Sequence, residues 1–164
     1  MKSVREKKAV SDEAREAGTT VHFGQISPLC FRKHSEIKKL TKYKGRVVFR
    51  GDSVKDQDNN WAVFQEMTSS ACLMSASKLI DAVGMMPGHD CQQSDAPGAF
   101  TQALLGGKIA TWVSIPRNMW PASWAKFKNP VILLIMALYG HPLSGAFWEQ
   151  KVARAFKSSG FFAD

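Results

Sequence analysis

Between residues 31 and 50 the chain sets eight cations, Arg32, Lys33, Lys38, Lys39, Lys42, Lys44, Arg46 and Arg50, against a single acid, Glu36. Charge gathered this way attracts phosphate, and binding that rests on it weakens steeply with salt as counterions are released. The whole chain carries a formal charge of +8, so this one stretch accounts for most of the excess. Residues 46–50, Arg-Val-Val-Phe-Arg between Gly45 and Gly51, are β-branched and aromatic, which predicts a strand. Alternation along that strand sends Lys44, Arg46 and Val48 to one face and Val47 and Phe49 to the other. Arg46 offers a planar fork for bidentate phosphate contact, and Lys44 a movable point charge. A solvated basic face with no partner accounts for the same pattern.

The second stretch of chemical interest is 94–100, Ser-Asp-Ala-Pro-Gly-Ala-Phe. Read locally, Asp95 caps a turn or a helix, and Phe100 fills a core. The metal-binding residue types offer less. His22, His34, His89 and His141 are scattered, and Cys30, Cys72 and Cys91 are odd in number without Cys-x-x-Cys spacing. Neither a zinc site nor a disulfide framework is expected.

The elements that must position these residues are those of one ordinary domain, since 164 residues with 45% hydrophobic content can bury a core. Residues 1–30 read as a charged, poorly structured N-terminal extension. Within it, 1–18 suit an exposed helix ended by Gly18, with too few apolar residues to bury a face, and 21–29, broken by Pro28, an irregular lead-in. Residues 31–164 form the domain proper. After the 46–50 strand come a polar turn at 52–60 and a short strand at 61–64. A helix capped by Ser69 or Ser70 follows, with Cys72, Ala76, Leu79, Ile80 and Val83 as a core stripe, ended by Pro87-Gly88. Residues 90–95 are expected to enter the sheet with Asp95 at a strand end, and 97–105 to turn back over it. The remaining expectations are a strand at 112–116, an aromatic-anchored loop or short helix at 120–130 around Trp124 and Phe127, and a buried strand at 131–138. A final helix at 143–157 turns Trp148, Val152, Ala155 and Phe156 inward. Short strands among helices, without a regular βαβ repeat, make the fold class α+β. The apolar run 131–139 is too short to span a bilayer and the start is charged, so a soluble, intracellular protein of cytoplasm or nucleus is expected, with no membrane partner.

Taken together and in this order, Lys44-Gly45-Arg46-Val47-Val48-Phe49-Arg50-Gly51, the Asp95…Ala99-Phe100 element and Ala137-Leu138-Tyr139-Gly140 resemble the reverse transcriptase of copia-type retrotransposon polyproteins. The resemblance runs from about Phe31 to the end. It implies a partial right-hand polymerase fold, fingers and part of the palm, truncated before the second catalytic motif. It further implies an RNA-directed DNA polymerase ancestry with two-metal nucleotidyl transfer on Mg2+. Asp95 is then the catalytic metal ligand, joined by the main chain of Ala96. Phe100 packs under the incoming sugar, and Lys44 and Arg46 grip the triphosphate. The implied partners are a nucleotide and an RNA or DNA primer–template.

Three departures bear on activity. The Tyr-x-Asp-Asp motif is absent, Leu143 and Ala146 stand where the family carries a Gln and an Arg, and Ile135 and Met136 replace basic residues. His141-Pro142 and Trp148-Glu149 follow a pattern of divergent branches. The expectation is therefore a reverse transcriptase fragment inactive alone. The alternatives are a non-catalytic nucleic-acid-binding module that keeps the basic finger region, and a nonfunctional remnant. A palm cut short also implies an open sheet edge beside Asp95, and self-association through it.

Overall fold

The computed structural model describes residues 4–34, 36–64 and 73–160. In chain order its elements are β1 (Arg5–Glu6), α1 (Lys7–Glu16), β2 (Val21–Lys33), β3 (Lys42–Phe49), β4 (Lys55–Asp56), α2 (Met74–Gly84), β5 (Ala110–Ser114), β6 (Pro130–Leu133) and α3 (Ser144–Ser158). The fold is mixed α+β. The strands run in the order β1-β6-β5-β2-β3, with β4 on the same side of β2 as β3. No helix among the described residues is long and apolar enough to cross a membrane.

The strand with most partners in this sheet is β2, which pairs with β3, β4 and β5 and is the segment that Pro28 marks as irregular in sequence. Its first half pairs in parallel with β5, from Val21↔Ala110 to Gln25↔Ser114, and its second half pairs antiparallel with β3, from Ile26↔Phe49 to Lys33↔Lys42. Proline is tolerated because residues 26–33 have β3 as their sole strand neighbour among the described residues, so the missing N–H of Pro28 has an open side to face.

Alternation along the strands divides the core in two. Val21, Phe23 and Val131, with Trp112 beside them, pack against Val10 and Ala14 of α1 on one face. Phe49, Val54 and Val113, with Ile26, Phe64 and Leu138, pack on the other. Helix α1 ends where expected, at Gly18 with φ +60°. It is not exposed all round, however: Val10, Ser11 and Ala14 are buried. In place of a poorly structured extension, residues 5–30 hold a strand, a packed helix and most of β2, because two well-spaced small apolar residues suffice to seat a helix on a sheet.

Several other expectations are corrected. Residues 61–64 contribute one isolated bridge, Lys55↔Trp61, in place of a strand. Residues 89–96 form neither helix nor strand, so Asp95 ends no strand. Among the described residues the sheet ends at β1 on one side and at β3 on the other, and the lysines of β3 discourage edge-to-edge pairing there. Helix α2 is present, but none of its residues is buried, and Leu79 and Ile80 are 65% and 57% exposed. The capping serines Ser69 and Ser70, and Cys72, lie outside the described residues. In α3 the buried positions are Ser144 and Ala146 in the first turn, while Ala155 and Phe156 are exposed.

Candidate nucleic-acid interface

Beyond Ile26, β2 and β3 leave the body of the sheet as a two-stranded ribbon whose residues 28–33 and 42–47 are all exposed. Its tip is closed by a turn containing a short 3-10 segment, Lys38–Leu40, where the Thr41 hydroxyl donates to the His34 carbonyl at 3.1 Å. Cross-strand partners share a face, so the register sorts the side chains. One face carries Lys33 opposite Lys42, Phe31 opposite Lys44 and Leu29 opposite Arg46. The other carries Arg32 opposite Tyr43 and Cys30 opposite Gly45. Among the described residues no salt bridge engages Lys33, Lys42, Lys44 or Arg46. Lys33 and Lys42, like charges directly opposite, repel one another. An anion lying along this face would relieve that repulsion.

Where the ribbon joins the body, its register is held by close backbone approaches. The Phe49 N–H donates to the Tyr139 carbonyl at 2.7 Å, and the Arg50 N–H to the Gln25 carbonyl at 2.8 Å. Gly140, with φ +87°, lies so near the Phe49 carbonyl that a Cβ there would collide with it. The Phe49-Arg50-Gly51 and Tyr139-Gly140 segments, far apart in sequence, are thus brought into contact.

This junction puts Arg46 over the Tyr139 ring, with its guanidinium carbon 5.7 Å from the ring centre. Phe100 packs on Tyr139 as well, with ring centres 4.7 Å apart and planes inclined at 51°. Phe100 is placed by a tight turn in which Gly98 has φ +63° and the Thr101 hydroxyl donates back to the Gly98 carbonyl at 2.7 Å. Two of the expected nucleotide-binding residues, Arg46 and Phe100, therefore meet at one ring, and Lys44 follows Arg46 along the same ribbon face. Tyr139 is not among the site residues that the sequence suggests; its position before a glycine at positive φ is the signal that marks it.

Asp95 and Ala96 fit their expected role less well. Asp95 is exposed on an irregular segment. Among the described residues no three of His, Cys, Asp and Glu gather as a ligand set for a metal ion. A two-magnesium centre needs several carboxylate oxygens held together, and Asp95 with a single neighbouring carbonyl does not supply them.

Comparison of the chain with models of protein families, with characterised proteins and with solved structures gives no match. Charge, register and ring geometry carry the functional reading of this face.

Two of the histidines meet in the fold. His22 and His141, scattered in sequence, are both buried and both pack on Phe64, with ring centres 4.8 and 5.5 Å away. His141 is pushed down to about 4 by burial and then by the nearby His22, and His22 is lowered by burial against a smaller opposing pull from Asp56. Only the fold, which places β2 next to the chain leading into α3, joins them; no spacing in the sequence announces it.

Proposed function

We propose that the chain derives from the fingers and partial palm of a copia-type reverse transcriptase and now acts as a non-catalytic module that grips the phosphate backbone of nucleic acid. The observation that carries this reading is the exposed ribbon face, on which Lys33, Lys42, Lys44 and Arg46 stand without a salt-bridge partner among the described residues. Two-stranded ribbons are a known means of presenting side chains to nucleic acid, and exposed Phe31 adds a surface for base stacking. Arg46 is steadied by Tyr139, which reduces the side-chain freedom lost when a phosphate is bound. Among the described residues no set of carboxylates fits a magnesium pair, so no nucleotidyl transfer is assigned to this chain. Phe100 serves in this reading as the ring behind Tyr139.

The test is fluorescence anisotropy with a labelled single-stranded DNA and an RNA–DNA primer–template. The expected result is salt-sensitive binding that is lost in Lys44→Glu/Arg46→Glu, kept in Asp95→Asn, and unaccompanied by primer extension. Binding indifferent to both ribbon substitutions would overturn the reading, and magnesium-dependent extension abolished by Asp95→Asn would restore an enzyme.

A further inference from the structure

On the sheet face opposite α1 lies a cavity of about 560 Å³. Its polar wall is made by His22 and Thr111, neighbours in register on β2 and β5, together with His141. All three are at least nine-tenths buried, at 4%, 3% and 5% exposure. Its apolar walls are the rings of Phe64 and Phe147 and the side chain of Leu143. At one side the chain passes as Gly106-Gly107, and the bare backbone there is needed: a Cβ on Gly106 would come 2.7 Å from the Phe147 ring. Lys108 stands exposed beside them.

The hydrogen bonds of the polar wall divide its members into one that is occupied and one that is available. His141 Nδ1 accepts the Leu143 N–H at 3.2 Å, which leaves the proton of the neutral ring on Nε2, and that nitrogen faces the Thr111 hydroxyl at 3.4 Å. His141 is further anchored by its surroundings, since the Ser144 hydroxyl donates to the Leu138 carbonyl at 2.7 Å and accepts the Leu138 N–H at 3.0 Å. His22 differs. Among the described residues its imidazole makes a ring contact with Phe64 and no side-chain hydrogen bond. The one fully enclosed side-chain polar atom without a partner among the described residues is Ser53 Oγ, so the His22 nitrogens border the open space of the cavity, where a ligand can reach them. Burial also keeps both imidazoles uncharged at neutral pH, so His22 offers one N–H donor and one bare nitrogen acceptor.

We propose that this cavity binds a flat, uncharged aromatic molecule of about two fused rings bearing a hydroxyl, with the hydroxyl hydrogen-bonded to His22. A cavity of this volume falls in the range of small-molecule sites, which combine apolar walls with a few placed polar groups. The aromatic faces of Phe64 and Phe147 favour a planar body. A charged group at the His22 end is disfavoured, because neither imidazole there carries a charge to meet it.

The experiment compares 2-naphthol with naphthalene on the full chain, by ligand fluorescence titration and by 15N-detected imidazole resonances of His22. The expected result is saturable binding of both, with 2-naphthol about five- to tenfold tighter and the His22 ring nitrogens shifted by 2-naphthol alone, as one net hydrogen bond predicts. In His22→Phe, which keeps the ring shape, the two affinities converge. Equal affinities in the native chain, or no saturable binding with unmoved His22 resonances, would overturn the proposal. The His22 resonances of the native protein decide the matter should His22→Phe fail to fold.

Discussion

The Arg46 guanidinium lies 5.7 Å over the Tyr139 ring, a side-chain contact that adds to the Phe49–Tyr139 and Arg50–Gln25 backbone hydrogen bonds at the base of the basic ribbon. A cation over an aromatic face contributes about 0.5–1 kcal/mol at an exposed site. Its larger effect is on orientation, since it keeps one charge of the ribbon in place while Lys33, Lys42 and Lys44 remain free to move.

Charge reversal on the ribbon should be read from the salt dependence of binding. Removing one cation that pairs with a phosphate lowers the slope of log K against log salt by about 0.7 for a single strand. Lys44→Glu/Arg46→Glu is expected to lower it by about 1.4 or more and to weaken binding at least tenfold in low salt, measured by anisotropy across a salt series. Tyr139→Leu, which removes the ring under Arg46, should weaken binding about two- to fivefold with little change of slope, in line with the small energy of such a contact.

Asp95→Asn is expected to leave affinity unchanged, as is removal of divalent ions with EDTA. The carboxylate is exposed and belongs to no ligand cluster among the described residues. A loss of binding on either treatment, seen in the same anisotropy assay, would contradict the assignment.

Acid should destabilise the fold through its buried imidazoles. His141 is pushed down to about 4 and His22 is lowered, whereas in the unfolded chain both titrate near the ordinary value of 6.5. Above 6.5 neither state binds these protons, and the full stability is present. As the pH falls from there towards 4, the unfolded chain takes up protons that the folded chain refuses, and stability declines. For His141 the loss is at most about 3 kcal/mol. Urea midpoints at pH 7.5, 6 and 5 should fall in that order, and a His141→Phe variant should show a shallower decline.

Gly140→Ala should be among the most damaging small substitutions. The residue sits at φ +87° and faces the Phe49 carbonyl with no room for a methyl group. Backbone strain and the steric clash together are expected to cost more than about 2 kcal/mol. Equilibrium denaturation measures this directly, and the same change at Gly18, which has φ +60° but open space around it, should cost less.

Leu79→Gln provides the opposite case. Periodicity alone places Leu79 in the core, but it is 65% exposed on α2. The substitution is expected to change stability by no more than about 0.5 kcal/mol, as surface changes do, where a core leucine would cost several times that. Thermal melting of the two proteins side by side distinguishes these outcomes.

Much of the fold is legible in local signals. Strands at 46–50, 112–116 and 131–138 correspond to β3, β5 and β6, with the last shorter than its apolar run, and the final helix differs from α3 by one residue at each end. The turn at 52–60 is as its polar residues suggest: the Asp56 carboxylate accepts the N–H groups of Asp58 and Asn60 at 2.8 and 2.9 Å. What local signals miss depends on partners distant in sequence. Pro28 argues against a strand unless one side of β2 is open, and a stripe such as Ala76, Leu79, Ile80 and Val83 states that a helix has an apolar face without stating what covers it. For the candidate interface, alternation correctly groups Lys44 with Arg46. It cannot supply Tyr139, which reaches Arg46 through the Phe49–Tyr139 backbone bond, nor the convergence of His22 with His141.

The divided pairing of β2 sets an order for chain assembly. Its outer half meets β3 across a short turn, a closure that takes microseconds. One edge of its inner half meets β4 soon after, but the other must wait for β5, roughly ninety residues later, which at ribosomal speeds of ~5–20 residues per second leaves that edge uncovered for about ten seconds during synthesis. The ribbon is thus the early-forming part of the protein, and the parallel join at Val21–Gln25 is the late step on which burial of α1, His22 and the rest of the core depends.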